Sequence, residues 1–320
     1  MIYNYLYCNM SKLYHTIIPL ILFQIAFGQG KAGSTFLSIN PGARANSMGE
    51  AQIGVANDVY ASYYNPAGLS NLTKKEFSFM HTGYMPNLAD DMSFDYLGFA
   101  LPNFNGGSLG GYLSYLNLGD QTSTDDDGNE LGSFSSYMYA LNLSFSKNIS
   151  EFSAYGISGK YFFQELAVFG DLDASSGNFA FDVGYFRRNF LENDNLNFGA
   201  VISNLGSGVS FNEGKKDPLP TRLGIGLSYL AMDDKLNLAF DIRREINDSI
   251  TSTSFGLEYL LMNNFAIRGG YLNDLSGNLN YLTLGLGANL SSIGFDLSYI
   301  LGDDLDPHSD TLRFSIISSF

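Results

Sequence analysis

The chain has 320 residues, and its 32 acidic against 17 basic side chains give a formal net charge of −15, which repels phosphate backbones and sets nucleic-acid binding aside. Charged residues are only 15% of the total, against roughly 25% in an average soluble domain, while Gly (35), Phe (26) and Tyr (21) are abundant, a sheet-rich profile. A mean hydropathy of −0.01 without an apolar run of about 18 residues excludes a helical membrane protein, but not a barrel whose strands show lipid only at every second residue.

From the N-terminus, Lys12, the stretch from Ile17 to Phe27 and the pattern Ala26-Phe27-Gly28 before Gln29 have the form of a cleaved signal peptide, residues 1–28. The apolar stretch is too short to span a bilayer. Cys8 precedes it, so the mature chain is expected to hold no disulfide and no thiolate metal site.

Residues 29–74 are rich in small residues and alternate weakly, and Ser47 to Asp58 reads as a short helix or turn. A segment this long and this apolar does not hang free, which predicts an N-terminal hatch folded inside a barrel of residues 75–320. Within it, Pro66 biases Asn65 away from the helical region, and the Asn65 side chain can bond a nearby backbone amide, so Asn65-Pro66-Ala67-Gly68 specifies a turn. Gly49 and Gly68 permit positive φ or close backbone approach. Arg44 and Asp58 are expected to pair with lumen charges of opposite sign.

After Lys75, alternating segments of some ten residues recur between clusters of Gly, Asn, Asp and Ser, and fourteen are counted. They centre near Phe79, Tyr96, Tyr112, Ala140, Ile157, Phe181, Phe198, Ile225, Ala239, Phe255, Ile267, Leu284, Leu297 and Phe314. In one of the clearest, Leu223, Ile225, Leu227 and Tyr229 oppose Arg222, Gly224, Gly226 and Ser228. A soluble sandwich also alternates, but its polar face carries many Lys and Glu; here that face is Gly, Ser, Asn, Thr and Ala, which suits a crowded lumen. The fold class is therefore all-β: a transmembrane 14-stranded antiparallel barrel, with outer-membrane lipid around it.

On the inward parity stand Lys160, Asp182, Arg222, Asp241, Arg243, Glu258, Arg268, Asp296 and Arg313. Opposite signs on adjacent strands predict lateral pairs that stiffen the wall and anchor the hatch; a polar selectivity lining is the alternative. The final strand, Thr311 to Phe320, turns Leu312, Phe314, Ile316 and Phe320 to one face and ends on an aromatic residue, a form that resembles the signal read by the barrel-assembly machinery. It is expected to close the barrel against the strand around Phe79.

Catalytic and metal chemistry find little support. Past the signal peptide only His81 and His308 remain, in the first strand and the last loop, and no nucleophile elbow occurs. Asp125-Asp126-Asp127-Gly128-Asn129-Glu130 fails the calcium-loop spacing, because Ser123 and Phe134 fall at the first and last ligand positions. Neither an enzyme, a cofactor nor a metal is expected.

The run Phe36 to Gly49, with Ala43-Arg44 and Met48-Gly49, then Ala56-Asn57-Asp58, then Tyr64-Asn65-Pro66-Ala67-Gly68-Leu69, resembles the N-terminal signature of the PorV/PorQ family. The match is dense over residues 36–69. That family is similar to FadL-type transporters in having a 14-stranded barrel plugged by a hatch. The resemblance implies an outer-membrane barrel of a Gram-negative bacterium that docks or shuttles secretion-system proteins or exported cargo in type IX secretion. Loops from Asp120 to Gly132 and from Asn212 to Asp217 would then be the contact surface. The alternative is a FadL-like transporter for small hydrophobic compounds, which needs an apolar pocket beside the hatch; inward aromatics of the early strands leave room for one.

Overall fold

The computed structural model describes residues 32–125, 127–169, 172–211, 216–262, 264–275, 280–302 and 308–320. The expected signal peptide lies outside them, as do residues 212–215 of the second expected contact loop.

Fourteen strands form: β1 (Glu76–Gly83), β2 (Ser93–Phe104), β3 (Gly107–Thr124), β4 (Glu130–Asn148), β5 (Ser153–Phe169), β6 (Leu172–Arg187) and β7 (Leu196–Leu205) in the first half. The second half supplies β8 (Arg222–Ala231), β9 (Leu236–Glu245), β10 (Thr251–Leu261), β11 (Phe265–Asp274), β12 (Asn280–Leu290), β13 (Ile293–Leu301) and β14 (Leu312–Ser319). Each pairs antiparallel with its sequence neighbours and β1 pairs with β14, so the sheet closes without an edge. At the seam Phe79 stands opposite Ile316 and His81 opposite Phe314.

Alternation explains the wall. On β8, Leu223, Ile225 and Tyr229 are exposed on the outer surface, while Gly224, Gly226 and Ser228 are buried against the interior. Turned to water such an apolar surface would be costly; turned to lipid it costs nothing. The last strand obeys the same parity, with Leu312 and Phe314 outward and Arg313 and Ser315 buried inside.

Connections at one end are mostly short, spanning residues 105–106, 149–152, 232–235 and 291–292; those at the other include 84–92, 206–221 and 302–311. Bacterial barrels keep their short turns on the periplasmic side, which places the long-loop rim outside. Strands β3 to β6 are 18, 19, 17 and 16 residues long, well beyond the ten or so read from the sequence. Ladder β2–β3 stops at Ser93 and Asn117, and ladder β4–β5 at Tyr137 and Glu165. Beyond these pairs β3–β4 and β5–β6 continue as two separate fingers on the outer rim.

Stacked Tyr115 and Tyr137, 6.1 Å apart, and Phe163, 6.2 Å from Tyr137, lie where the fingers leave the wall, an aromatic girdle at the height expected for the lipid boundary. Most of the expected loop from Asp120 to Gly132 is therefore strand: β3 runs to Thr124 and β4 begins at Glu130. Alternation continues past the membrane, and a pattern of turns and charges does not mark that border.

The carboxy-terminal residue is part of the seam. Lys75 N donates to the Phe320 carbonyl at 3.0 Å, Phe320 N donates to the Lys75 carbonyl at 2.9 Å, and the Phe320 ring stacks on Phe77 at 5.7 Å. Deleting Phe320 removes both bonds and the stack, so the fraction of barrel that resists unfolding on an unheated gel should fall, while Phe320→Tyr should leave it near the wild-type level.

Candidate functional site

The hatch fills the bore. Residues 41–69 are buried apart from Arg44, Asn57 and Tyr63. The hatch has short helices at Ala43–Ser47 and Ala61–Tyr64 and 3-10 segments at Thr35–Ser38 and Pro66–Asn71. The helix thus lies just ahead of the stretch from Ser47 to Asp58, which is a run of turns; it stops because Gly49 takes a φ of 60°.

The segment threads the barrel from rim to rim. Gly33 N donates to the Pro218 carbonyl at 2.8 Å and Ala32 N to Asp248 Oδ1 at 3.0 Å, both in long-rim loops. At the other end Val59 N donates to Glu76 Oε2 at 2.8 Å, beside the start of β1.

Inward glycines let backbone lie on backbone. A methyl group built on Gly156, Gly184, Gly199, Gly226, Gly256 or Gly270 would overlap Pro66, Asn65, Ile53, Gly54, Met48 or Gly49. Any side chain at these positions would hold the hatch off the wall. Gly49 needs its glycine twice, for positive φ and because a Cβ would stand 2.6 Å from Tyr271 N, whereas Gly68 needs it only for its approach to Ala56.

Asn65 clamps three segments with one amide. Its Oδ1 accepts from Ala67 N at 3.2 Å, capping the turn that opens at Pro66, and its Nδ2 donates to the Ile53 carbonyl at 3.2 Å and to the Tyr185 carbonyl of β6 at 3.0 Å. Ala67, which it caps, and Met48, which lies over Gly256 of β10, are both fully buried.

Five charges form a single chain of ion pairs. Arg44 holds Asp58 at 2.9 Å and grips Glu258 of β10 with Nε at 2.8 Å and Nη2 at 2.7 Å. Arg268 of β11 holds the same Glu258 at 2.7 Å and reaches Asp296 of β13, also at 2.7 Å. It crosses β12 over Gly287, where a Cβ would stand 2.7 Å from the guanidinium. Asp58 therefore pairs with Arg44 inside the hatch instead of with the wall, since Arg44 lies between it and Glu258.

Of the remaining inward charges, Lys160 and Arg222 pair across neighbouring strands as expected, whereas Asp241 and Arg243 pair within β9 and Arg313 meets a hatch carbonyl. Lys160 holds Asp182 at 3.0 Å and Asn204 at 2.7 Å; Asp241 accepts from the hatch amides of Gln52 and Ile53 at 2.8 and 2.9 Å and from Arg243 at 3.0 Å. Arg243 also bonds the Glu50 carbonyl, Arg222 pairs with Glu245 at 2.8 Å, and Arg313 donates to the Asn40 carbonyl at 2.6 Å. Sequence reasoning missed Glu50 and Glu245. Glu50 had a signal: between Ala32 and Thr73 the only charges are Arg44, Glu50 and Asp58, and a charge among small apolar residues must find a partner.

Hatch rings pack on the inward aromatics, while an apolar hollow of about 1070 Å³ opens along β1 to β6, lined by Tyr112 and by the exposed Phe77, Leu97, Leu141 and Phe179. Tyr96 and Tyr112 stack at 5.1 Å, Tyr60 lies 5.1 Å from Tyr96, and Tyr63 lies 6.0 Å from Tyr112, so hatch rings cover both wall tyrosines from the lumen. A cavity of about 20 Å³ between Leu37, Tyr63, Lys160 and Arg222 has room for about one water.

His81 and His308 share the outer rim, His81 bonded to Asp95 at 2.7 Å on the exposed wall and His308 edge-on to Tyr84 at 6.1 Å. At the finger tip, Asp125 accepts from the Asn129 side chain at 2.9 Å and from the amides of Asn129 and Asp127 at 2.8 and 3.0 Å, which hold its carboxyl below the usual range. Those bonds close the tip on itself.

Removing Arg44 leaves Glu258 and Asp58 buried without their common partner, a loss of about 3–5 kcal/mol for the seated hatch. Arg44→Ala should therefore open the tyrosines of the helix Ala61–Tyr64 to chymotrypsin in the intact protein, with Arg44→Lys intermediate because an ammonium cannot grip a carboxylate with two parallel bonds. Asn65→Ala strands two buried carbonyls and one amide, a loss on the order of 1–3 kcal/mol that should be visible in the same digestion.

Comparison with known proteins places this architecture. The profile of the family described as type IX secretion system protein PorV matches residues 30–254. No curated protein sequence matches. Among solved structures, the Pseudomonas putida toluene transporter TodX aligns at 13% identity with a TM-score of 0.67, over 88% of this chain and 98% of its own. The Ralstonia pickettii toluene transporter TbuX aligns at 14% identity and 0.56, over 87% and 96%. A Pseudomonas aeruginosa FadL homologue aligns at 11% identity and 0.53, over 92% and 99%. At such identities the likeness is one of fold, a FadL-like outer-membrane barrel.

Proposed function

We propose a function from one premise: the chain belongs to the family of the type IX secretion system protein PorV. It acts in the outer membrane of a Gram-negative cell as a docking or shuttle barrel for protein secretion, receiving exported proteins or secretion components at the surface, and catalyses no reaction. The observation that carries this reading is the family match over residues 30–254, which takes in the hatch and the strands through β9 and the start of β10. The filled bore supports it, since a folded or extended cargo has no route past residues 41–69. The fingers support it too, because they offer partners a surface clear of lipid.

The alternative is a transporter for small hydrophobic compounds, favoured by the shared fold with toluene transporters. Against it stand Tyr60 and Tyr63, which cover Tyr96 and Tyr112 from the lumen and leave the bore filled beside them.

Deleting the gene separates the two. Loss of exported proteins from the medium and surface, with uptake of toluene unchanged, is the expected outcome. An unchanged set of exported proteins would overturn the secretion reading, and reduced toluene uptake would establish the transporter in its place.

A further inference from the structure

The finger made by β3 and β4 leaves the barrel with a bare edge. Above Tyr137 and Glu165 the ladder between β4 and β5 ends, with a last cross-link from Ser136 Oγ to the Leu166 carbonyl at 2.5 Å, while β4 stays paired with β3 up to Thr124 and Glu130. Both fingers shift register where they depart, β3–β4 between Asn117 and Asp120 and β5–β6 between Glu165 and Ala167, and such bulges bend a hairpin away from the sheet below it. The segment of β4 from Leu131 to Ser135 therefore has hydrogen-bonding groups on one side that no strand among the described residues pairs with.

Folded proteins shield such edges with Lys, Pro or a covering loop. Leu131-Gly132-Ser133-Phe134-Ser135-Ser136 has no charge and no proline, and Leu131 is 55% exposed. The acids lie around this uncharged stretch: Asp120 on β3, Asp125 and Asp127 at the tip, and Glu130 at the start of β4, with no Lys, Arg or His in the sequence between residues 118 and 136. An edge with unused backbone groups inside a purely acidic surround selects an extended strand that carries cations. A second copy of this chain is a poor occupant, because its own finger has the same sign.

We propose that β4 from Leu131 to Ser135 captures an extended, Lys- or Arg-bearing strand of a partner protein, which lengthens the finger by main-chain hydrogen bonds while its cations face Asp120 and Glu130. The backbone supplies the attachment and the acids supply the choice of partner. This deepens the docking reading by naming the surface and the chemistry of what it takes.

The test uses the full barrel in detergent micelles and a fluorescent short peptide alternating Lys and Val. Binding should weaken with salt, since exposed charges are screened beyond about 8 Å at physiological ionic strength. It should weaken about tenfold for the peptide N-methylated at alternate residues, for its Glu-for-Lys counterpart, and for the barrel variant Ser133→Lys/Ser135→Lys, whose changes fall on exposed side chains and leave the backbone alone. Equal binding of the N-methylated peptide would show attraction of charge alone and overturn strand addition; equal binding by the double-Lys variant would place the site elsewhere. Loss of export on gene deletion without peptide capture would leave the docking reading standing and remove this one.

Discussion

A closed ring of fourteen strands encloses a bore that its own inward side chains cannot fill, and most of the structure answers that one constraint. The chain fills the space with its own residues, led from the outer rim near Pro218 to the start of β1. The space available is narrow enough that backbone must lie against backbone, and for that reason the wall turns glycine inward at Gly156, Gly184, Gly226 and Gly270. A wall of larger inward residues would leave no room for a hatch, and a wider barrel would leave a channel.

Filling the bore with polypeptide brings polar groups into a place poor in water, and the charges resolve that difficulty. Asp241 takes two hatch amides, Arg313 takes a hatch carbonyl, and Arg44 turns a buried cation into a tie between the hatch and β10. Buried ion pairs contribute little net stability compared with apolar packing, yet breaking one is costly. They fix the position of the hatch more than they raise the stability of the barrel, a property suited to a plug that must not slide. The aromatic contacts beside β2 and β3 add apolar packing on the opposite side of the bore, where charges are few.

The wall was legible in the sequence because alternation over lipid is a strict signal: all fourteen expected centres, from Phe79 to Phe314, fall within strands, and the register at the seam follows from the parity of Leu312 and Arg313. The turn at Asn65 was legible because Asn-Pro has few conformations. Partners across the lumen were not. Nothing local links Arg44 to Glu258, more than two hundred residues away, or Arg268 to Asp296 across an intervening strand. The fingers were misread as loops for a related reason: Asp and Gly clusters mark a turn, but how far a hairpin climbs beyond lipid depends on pairings with β2 and β5 that end, and the end of a pairing leaves no mark in composition.

Membership of the PorV family and a filled bore support the proposal of a barrel that works by what it holds at its outer rim and not by what it lets through. The central claim is that residues 41–69 close the lumen under native conditions. Conductance of the purified protein in a planar lipid bilayer tests it most directly. The account predicts no steady ion current from the intact chain at moderate voltage. A stable open-channel current from the wild-type protein would contradict it.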